Sequence, residues 1–214
     1  MNSATTAVLA ALIIQVGLGL AVFQANPKRQ SNQSFLILSL AIAFWLGNLY
    51  FAFHATNSLV GERSIRGASA AVPLILVGFN ILRLSIRERR HGWRGILRHS
   101  RLWLIIGFAI VWLCQTKLFL NSVEVLGQTS AGTARLHPIY GPGFTVHAAY
   151  FGVGILALIF NYVRDLQRAT GGERAELAFI LIGATSTLAF SLLTNTVFRL
   201  FIEPAQLIWF APFL

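Results

Sequence analysis

Long apolar runs separated by short polar breaks dominate this chain, and their spacing predicts a succession of helices rather than strands. Six runs reach the length of a membrane span, at about residues 5–23, 34–54, 67–82, 102–120, 144–162 and 175–198. A seventh apolar run begins at Leu207 and stops at Leu214, far short of the roughly 20 residues needed to cross a bilayer. It reads either as the start of a seventh span or as a segment lying in the interface. Asn26-Pro27 closes the first run, because proline cannot donate the next helical hydrogen bond. The expected fold is all-α, a single helical transmembrane domain over residues 1–214.

The polar breaks set the orientation. The stretch 83–101, RLSIRERRHGWRGILRHSR, carries seven arginines against one glutamate, Glu88. Short loops rich in Lys and Arg stay in the cytoplasm. With the N-terminus outside, twelve of the seventeen Lys and Arg residues fall on the cytoplasmic side. Within the stretch, Arg87, Arg90, Arg94 and Arg98 recur at steps of three or four, with Trp93 on another face. They read as a basic amphipathic surface helix for anionic lipid or an acidic partner, or simply as the topological signal with a Trp anchor. Nucleic acid is not an expected partner of a basic loop held between apolar helices.

Composition agrees with the pattern. The chain is 56% hydrophobic and 11% charged, where soluble domains average about 25% charged residues. Cys114, the one cysteine, lies inside an apolar run and forms no intrachain disulfide. The first run lacks the basic leader of a secretory signal and reads as a retained helix.

Small and polar residues mark the faces expected to pack, since helices in lipid associate through close approach and interhelical hydrogen bonds. In the sixth run, Gly183, Thr187, Ser191 and Asn195 recur at every fourth position. Ser39, Ala43 and Gly47 in the second run match Ala7, Ala11, Gln15 and Gly19 in the first. All seven Asp and Glu residues are placed in loops or at span ends, which argues against a proton-driven transporter.

Candidate chemistry is sparse. The chain lacks HExxH, a GxSxG elbow and a phosphate loop, so neither catalysis nor a metal site is expected. His147 is the one candidate for holding a cofactor through a neutral imidazole, with interfacial packing as the alternative. No cofactor is assigned. The longest outer loop, from Asn121 to Pro142, brings Glu124, Arg135, His137 and Tyr140 together as candidates for ligand sensing, with Tyr140-Gly141-Pro142-Gly143-Phe144 as a turn into the next helix.

Three segments, NPKRQSNQSFLILSLAIAFW at 26–45, YGPGF at 140–144 and LLTNTVF at 192–198, resemble in order and topology the seven-helix N-terminal membrane region of bacterial sensor histidine kinases. The resemblance implies a seven-helix fold and a signal-input role in the bacterial cytoplasmic membrane, with a protein partner or output domain in the cytoplasm. It does not imply kinase activity for these residues, because the phosphoacceptor helix and ATP-binding domain of such kinases have no counterpart here. The other reading of the residues is a non-catalytic accessory subunit of a larger membrane assembly.

Overall fold

The computed structural model describes residues 3–87, 92–128 and 133–192, with the side-chain surroundings of 3–4 and 187–192 outside that range. In chain order the elements are α1 (Ser3–Ala25), α2 (Gln30–Phe53), α3 (Ser58–Arg87), α4 (Gly92–His99), α5 (Arg101–Cys114), β1 (Leu120–Gln128), β2 (Ala134–Tyr140), α6 (Gly143–Arg168) and α7 (Gly171–Leu192). Helices α1, α2, α3 and α6 are each long and apolar enough to cross a membrane, and α4 with α5, bent by 64° between them, makes a fifth span if counted as one. The expected sixth span, α7, is described only in part. The all-α membrane architecture therefore stands, and the run at 207–214 lies outside the described residues.

Helix α3 organises the bundle. At 30 residues it is about 45 Å long at 1.5 Å per residue, well beyond the roughly 30 Å of bilayer hydrocarbon. It touches α2, α4, α5, α6, α7 and β1. In its apolar stretch 72% of residues are buried, against 11% in α1 and 28% in α2, so α1 and much of α2 face outward while α3 forms the core. The span expected at 67–82 is thus the middle of a longer helix. Its extra turns at both ends are polar, and they are held by contacts with other elements.

Close helix approach depends on glycines. A Cβ on Gly67 would stand 2.0 Å from Asn48 Oδ1, so this glycine leaves the space in which the Asn48 side chain lies between α2 and α3. Asn48 itself donates to the Phe44 carbonyl at 2.7 Å. Gly19 sits against Ser39, where a Cβ would come within 2.6 Å, so the two small-residue stripes of α1 and α2 do meet. In α7, Gly183 is exposed, and no atom of the described residues stands within 4 Å of a Cβ built there. The surroundings of Thr187 and Ser191, and Asn195 altogether, lie outside the described residues.

The fourth span departs from expectation. α5 stops at Cys114, and the chain turns into an antiparallel hairpin of β1 and β2 instead of an irregular loop. Its register pairs Leu120 with Tyr140, Glu124 with His137 and Val125 with Leu136. An isolated two-stranded hairpin is marginal in water. This one is supported from beneath, where Val123 and Leu136 pack over Gly61 of α3 at distances that a Cβ would reduce to 3.2 and 3.1 Å.

Replacing Gly67 with Ala should destabilise the fold by about 1–3 kcal/mol through overpacking against Asn48. Adding Asn48→Ala should recover most of that loss, because it removes the clashing atoms. Thermal unfolding of the four variants in lipid nanodiscs measures both effects, and additive losses in the double variant would refute the contact.

Candidate functional site

At the end of the bundle that carries the basic loops, α3 and α6 are joined by a buried ionic cluster. The Asp165 side chain is fully buried and accepts from Arg83 Nη1 at 2.6 Å and from Arg87 Nη1 at 2.9 Å. Arg83 is itself buried and donates from Nη2 to Asn80 Oδ1 at 3.0 Å, while Asn80 Nδ2 donates to Ser100 Oγ at 2.9 Å. Three sequence-distant segments are thereby locked together: the last turns of α3, the bend between α4 and α5, and the end of α6. Nearby, the Tyr162 hydroxyl donates to the Phe79 carbonyl at 3.0 Å.

This cluster corrects one expectation. Asp165 is not a loop residue, because α6 continues to Arg168 and buries it. Arg87 pairs with Asp165 while its side chain stays 38% exposed. A buried carboxylate without a cation is costly, so the last turns of α3 serve Asp165 first.

The basic stretch is also not one helix. α3 ends its described course at Arg87, α4 begins at Gly92 with φ +62, and a second bend at Ser100 separates α4 from α5. A left-handed φ favours glycine, which accounts for Gly92 at that position. Arg94 and Arg98 are exposed on α4, and Ile96 is buried on its inner side. Trp93 is half-buried and its indole Nε1 donates to Gln33 Oε1 at 2.6 Å, so it ties α4 to the first turns of α2. Arg90 lies outside the described residues.

At the opposite end, the ligand-sensing candidates fall on the hairpin. Glu124 and His137 are direct cross-strand partners, and Arg135 lies two residues from His137 on the same exposed face. Tyr140 sits apart from them. Its ring lies 4.3 Å from Phe144 and 5.7 Å from Phe119, centroid to centroid. The structure thus brings three of the four together and assigns the fourth to an aromatic cluster at the hairpin base. That base is pinned by Gly141 N donating to the Phe119 carbonyl at 2.9 Å and Gly143 N to the Leu118 carbonyl at 2.8 Å. A Cβ on Gly141 would lie 2.2 Å from Leu118 O, so only glycine fits this turn.

Arg66 lies one residue ahead of the span expected at 67–82, and no site was expected there. It is buried on α3, pairs with Glu62 at 2.8 Å, and donates to the carbonyls of Gln115 and, at 2.8 Å, Leu120. Those two carbonyls flank the turn from α5 into β1. Its signal in sequence is the Glu62–Arg66 spacing of four, which is a helical pair rather than a loop pattern.

His147 has a structural partner. Pro73 inside α3 has no N–H to offer the Ser69 carbonyl four residues earlier. His147 Nε2 lies 3.1 Å from that carbonyl and donates to it, since a carbonyl only accepts. The His147 ring also packs on Phe119 at 5.2 Å. α6 thereby satisfies the backbone group that proline frees in α3, as lipid-embedded prolines require.

Two sets of variants test this geometry. Asp165→Ala should cost about 3–5 kcal/mol by stranding buried Arg83, while Arg87→Gln at the half-exposed partner should cost about 1 kcal/mol or less; equal losses in lipid-phase unfolding would contradict the ranking. His147→Phe should cost about 1–3 kcal/mol by leaving Ser69 O unpaired, and less in a Pro73→Ala background, where the helix supplies its own donor. A double-mutant cycle with no coupling would break that link.

No curated protein sequence matches the chain. A family model, the N-terminal 7TM region of histidine kinase, matches residues 7–214. That match spans both the hairpin end and the ionic cluster, and with the apolar helices around α3 it places the chain in the histidine-kinase 7TM family, as a membrane-embedded sensory input region.

Proposed function

We propose that the hairpin end receives the stimulus and that α3 carries it to the Arg83–Asp165–Arg87 cluster, with no reaction catalysed by these residues. The observation that carries this reading is the reach of α3. One continuous helix is packed under the hairpin at Gly61 and Arg66, and locked to α6 at Arg83 and Arg87. A displacement at one end of a rigid, mostly buried helix is felt at the other, provided the far contact has two arrangements. Asp165 offers a contact of that kind, because its two carboxylate oxygens take Arg83 and Arg87 separately, with Arg164 Nε 3.9 Å from one of them.

The family match favours an input region over an accessory subunit. The positive-inside rule supports a bacterial cytoplasmic membrane with the hairpin outside and the cluster inside. In that orientation Glu124, Arg135 and His137 meet the exterior, and α4 with Arg94 and Arg98 faces a cytoplasmic partner or the membrane surface.

Hydrogen exchange in nanodiscs tests the coupling. Gly61→Leu should wedge the hairpin from α3 and raise exchange at both 58–66 and 80–87. A rise confined to 58–66 would sink the coupling. Replacing Glu124, Arg135 and His137 together with Gln should change stability by no more than about 0.5 kcal/mol, as expected for exposed positions, and leave exchange at 80–87 unaltered without stimulus.

A further inference from the structure

Between the start of α2 and the last turns of α3, at the end of the bundle with the basic loops, lies a cavity of about 290 Å³ lined by Lys28, Arg29, Gln30, Ser31 and Ser85. We infer that this cavity is a binding site for a phosphate group, presented by an anionic lipid headgroup or by a free phosphate.

The first argument is the donor set. All five lining residues are polar, two are cationic and none is acidic. Arg29 also pairs with Glu176 of α7 at 2.5 Å, which leaves Lys28 as the principal charge facing the cavity. Ser31 is only 8% exposed and no described residue takes its hydroxyl hydrogen bond. Ser85, 1% exposed, gives its hydroxyl proton to the Leu82 carbonyl at 2.7 Å, so it forms part of the cavity wall and is not one of the donors.

The second argument is the backbone. α2 begins at Gln30, and the residue before it, Arg29, contributes no side-chain cap. Helix N-termini leave donors unsatisfied and carry partial positive charge, and both attract anions. The Arg29 carbonyl accepts from Asn32 N and Gln33 N at 3.1 Å, while the amides of Gln30 and Ser31 have no acceptor among the described residues. The residues that carry these two amides, the Ser31 hydroxyl and the Lys28 ammonium all line one space.

The surroundings make that space a built one. Asn32 Nδ2 donates to the Val22 carbonyl at 2.8 Å and Gln33 Nε2 to the Pro27 carbonyl at 2.7 Å, holding the turn between α1 and α2. Gln33 also receives Trp93 from α4. A water takes about 30 Å³ of liquid, so the cavity has room for a phosphate and the atoms attached to it.

The test uses the full chain purified in neutral detergent. Native mass spectrometry measures retention of phosphatidylglycerol against phosphatidylcholine, and calorimetry measures binding of inorganic phosphate. Ser31→Leu fills the cavity without changing charge, Lys28→Gln removes the charge without filling it, and Arg94→Gln/Arg98→Gln is the control for a generic basic surface. Circular dichroism checks that each variant folds.

Saturable retention of one phosphatidylglycerol that Ser31→Leu and Lys28→Gln each weaken at least fivefold, and the Arg94/Arg98 control does not, supports the site with a lipid as its source. Saturable inorganic phosphate binding with the same variant pattern supports the site with a free anion as its source. Binding of neither ligand by the wild type, or equal binding by wild type and both cavity variants, overturns it.

Discussion

Lipid offers no water to a buried charge or an unpaired carbonyl, and α3 carries both. Such groups on α3 are stabilised by partners elsewhere in the protein. The carbonyl freed by Pro73 takes His147, the buried Arg83 takes Asp165, and buried Arg66 takes the carbonyls of Gln115 and Leu120. Each satisfied group draws another element onto the same helix. α3 is the most buried of the candidate spans, and these polar partners help to hold the other elements against it.

This constraint explains why a long central helix coexists with loosely packed neighbours. α1 has few buried positions and presents residues such as Ile13 and Ile14 outward, where lipid solvates them as well as protein does. There is no hydrophobic drive to bury such residues inside a membrane. What holds α1 and α2 together is close approach at Gly19 and Ser39, with the Asn32 bond to the Val22 carbonyl closing the turn. The two ends of α3 are polar for different reasons: one supports the hairpin, the other joins α6 and the bend at Ser100.

Much of the site was hidden from sequence by boundaries. Reading the fifth span as ending near Tyr162 left Asp165 in a loop, and reading the third as ending near Leu82 left Arg83 and Arg87 in a basic linker. Three residues that form one buried cluster were thus divided among separate surface features. The basic stretch is periodic enough to suggest one amphipathic helix, but Gly92 and Ser100 break it, and Arg87 and Trp93 turn inward to Asp165 and Gln33. The hairpin escaped for a related reason: Val123, Val125 and Leu136 make too short an apolar alternation to stand out beside spans of twenty residues.

The sequence by itself determined the membrane class and the rough positions of the apolar helices, and it set the expectation for the sidedness of the basic loops. These follow from hydropathy and charge, which act residue by residue against lipid and water. The tertiary structure decided which polar residues are partners. An arginine near a span end reads the same whether it meets water, a headgroup or a carboxylate. Only the packing of α6 against α3 brings Asp165 within 2.6 Å of Arg83 and turns a loop signal into a buried lock.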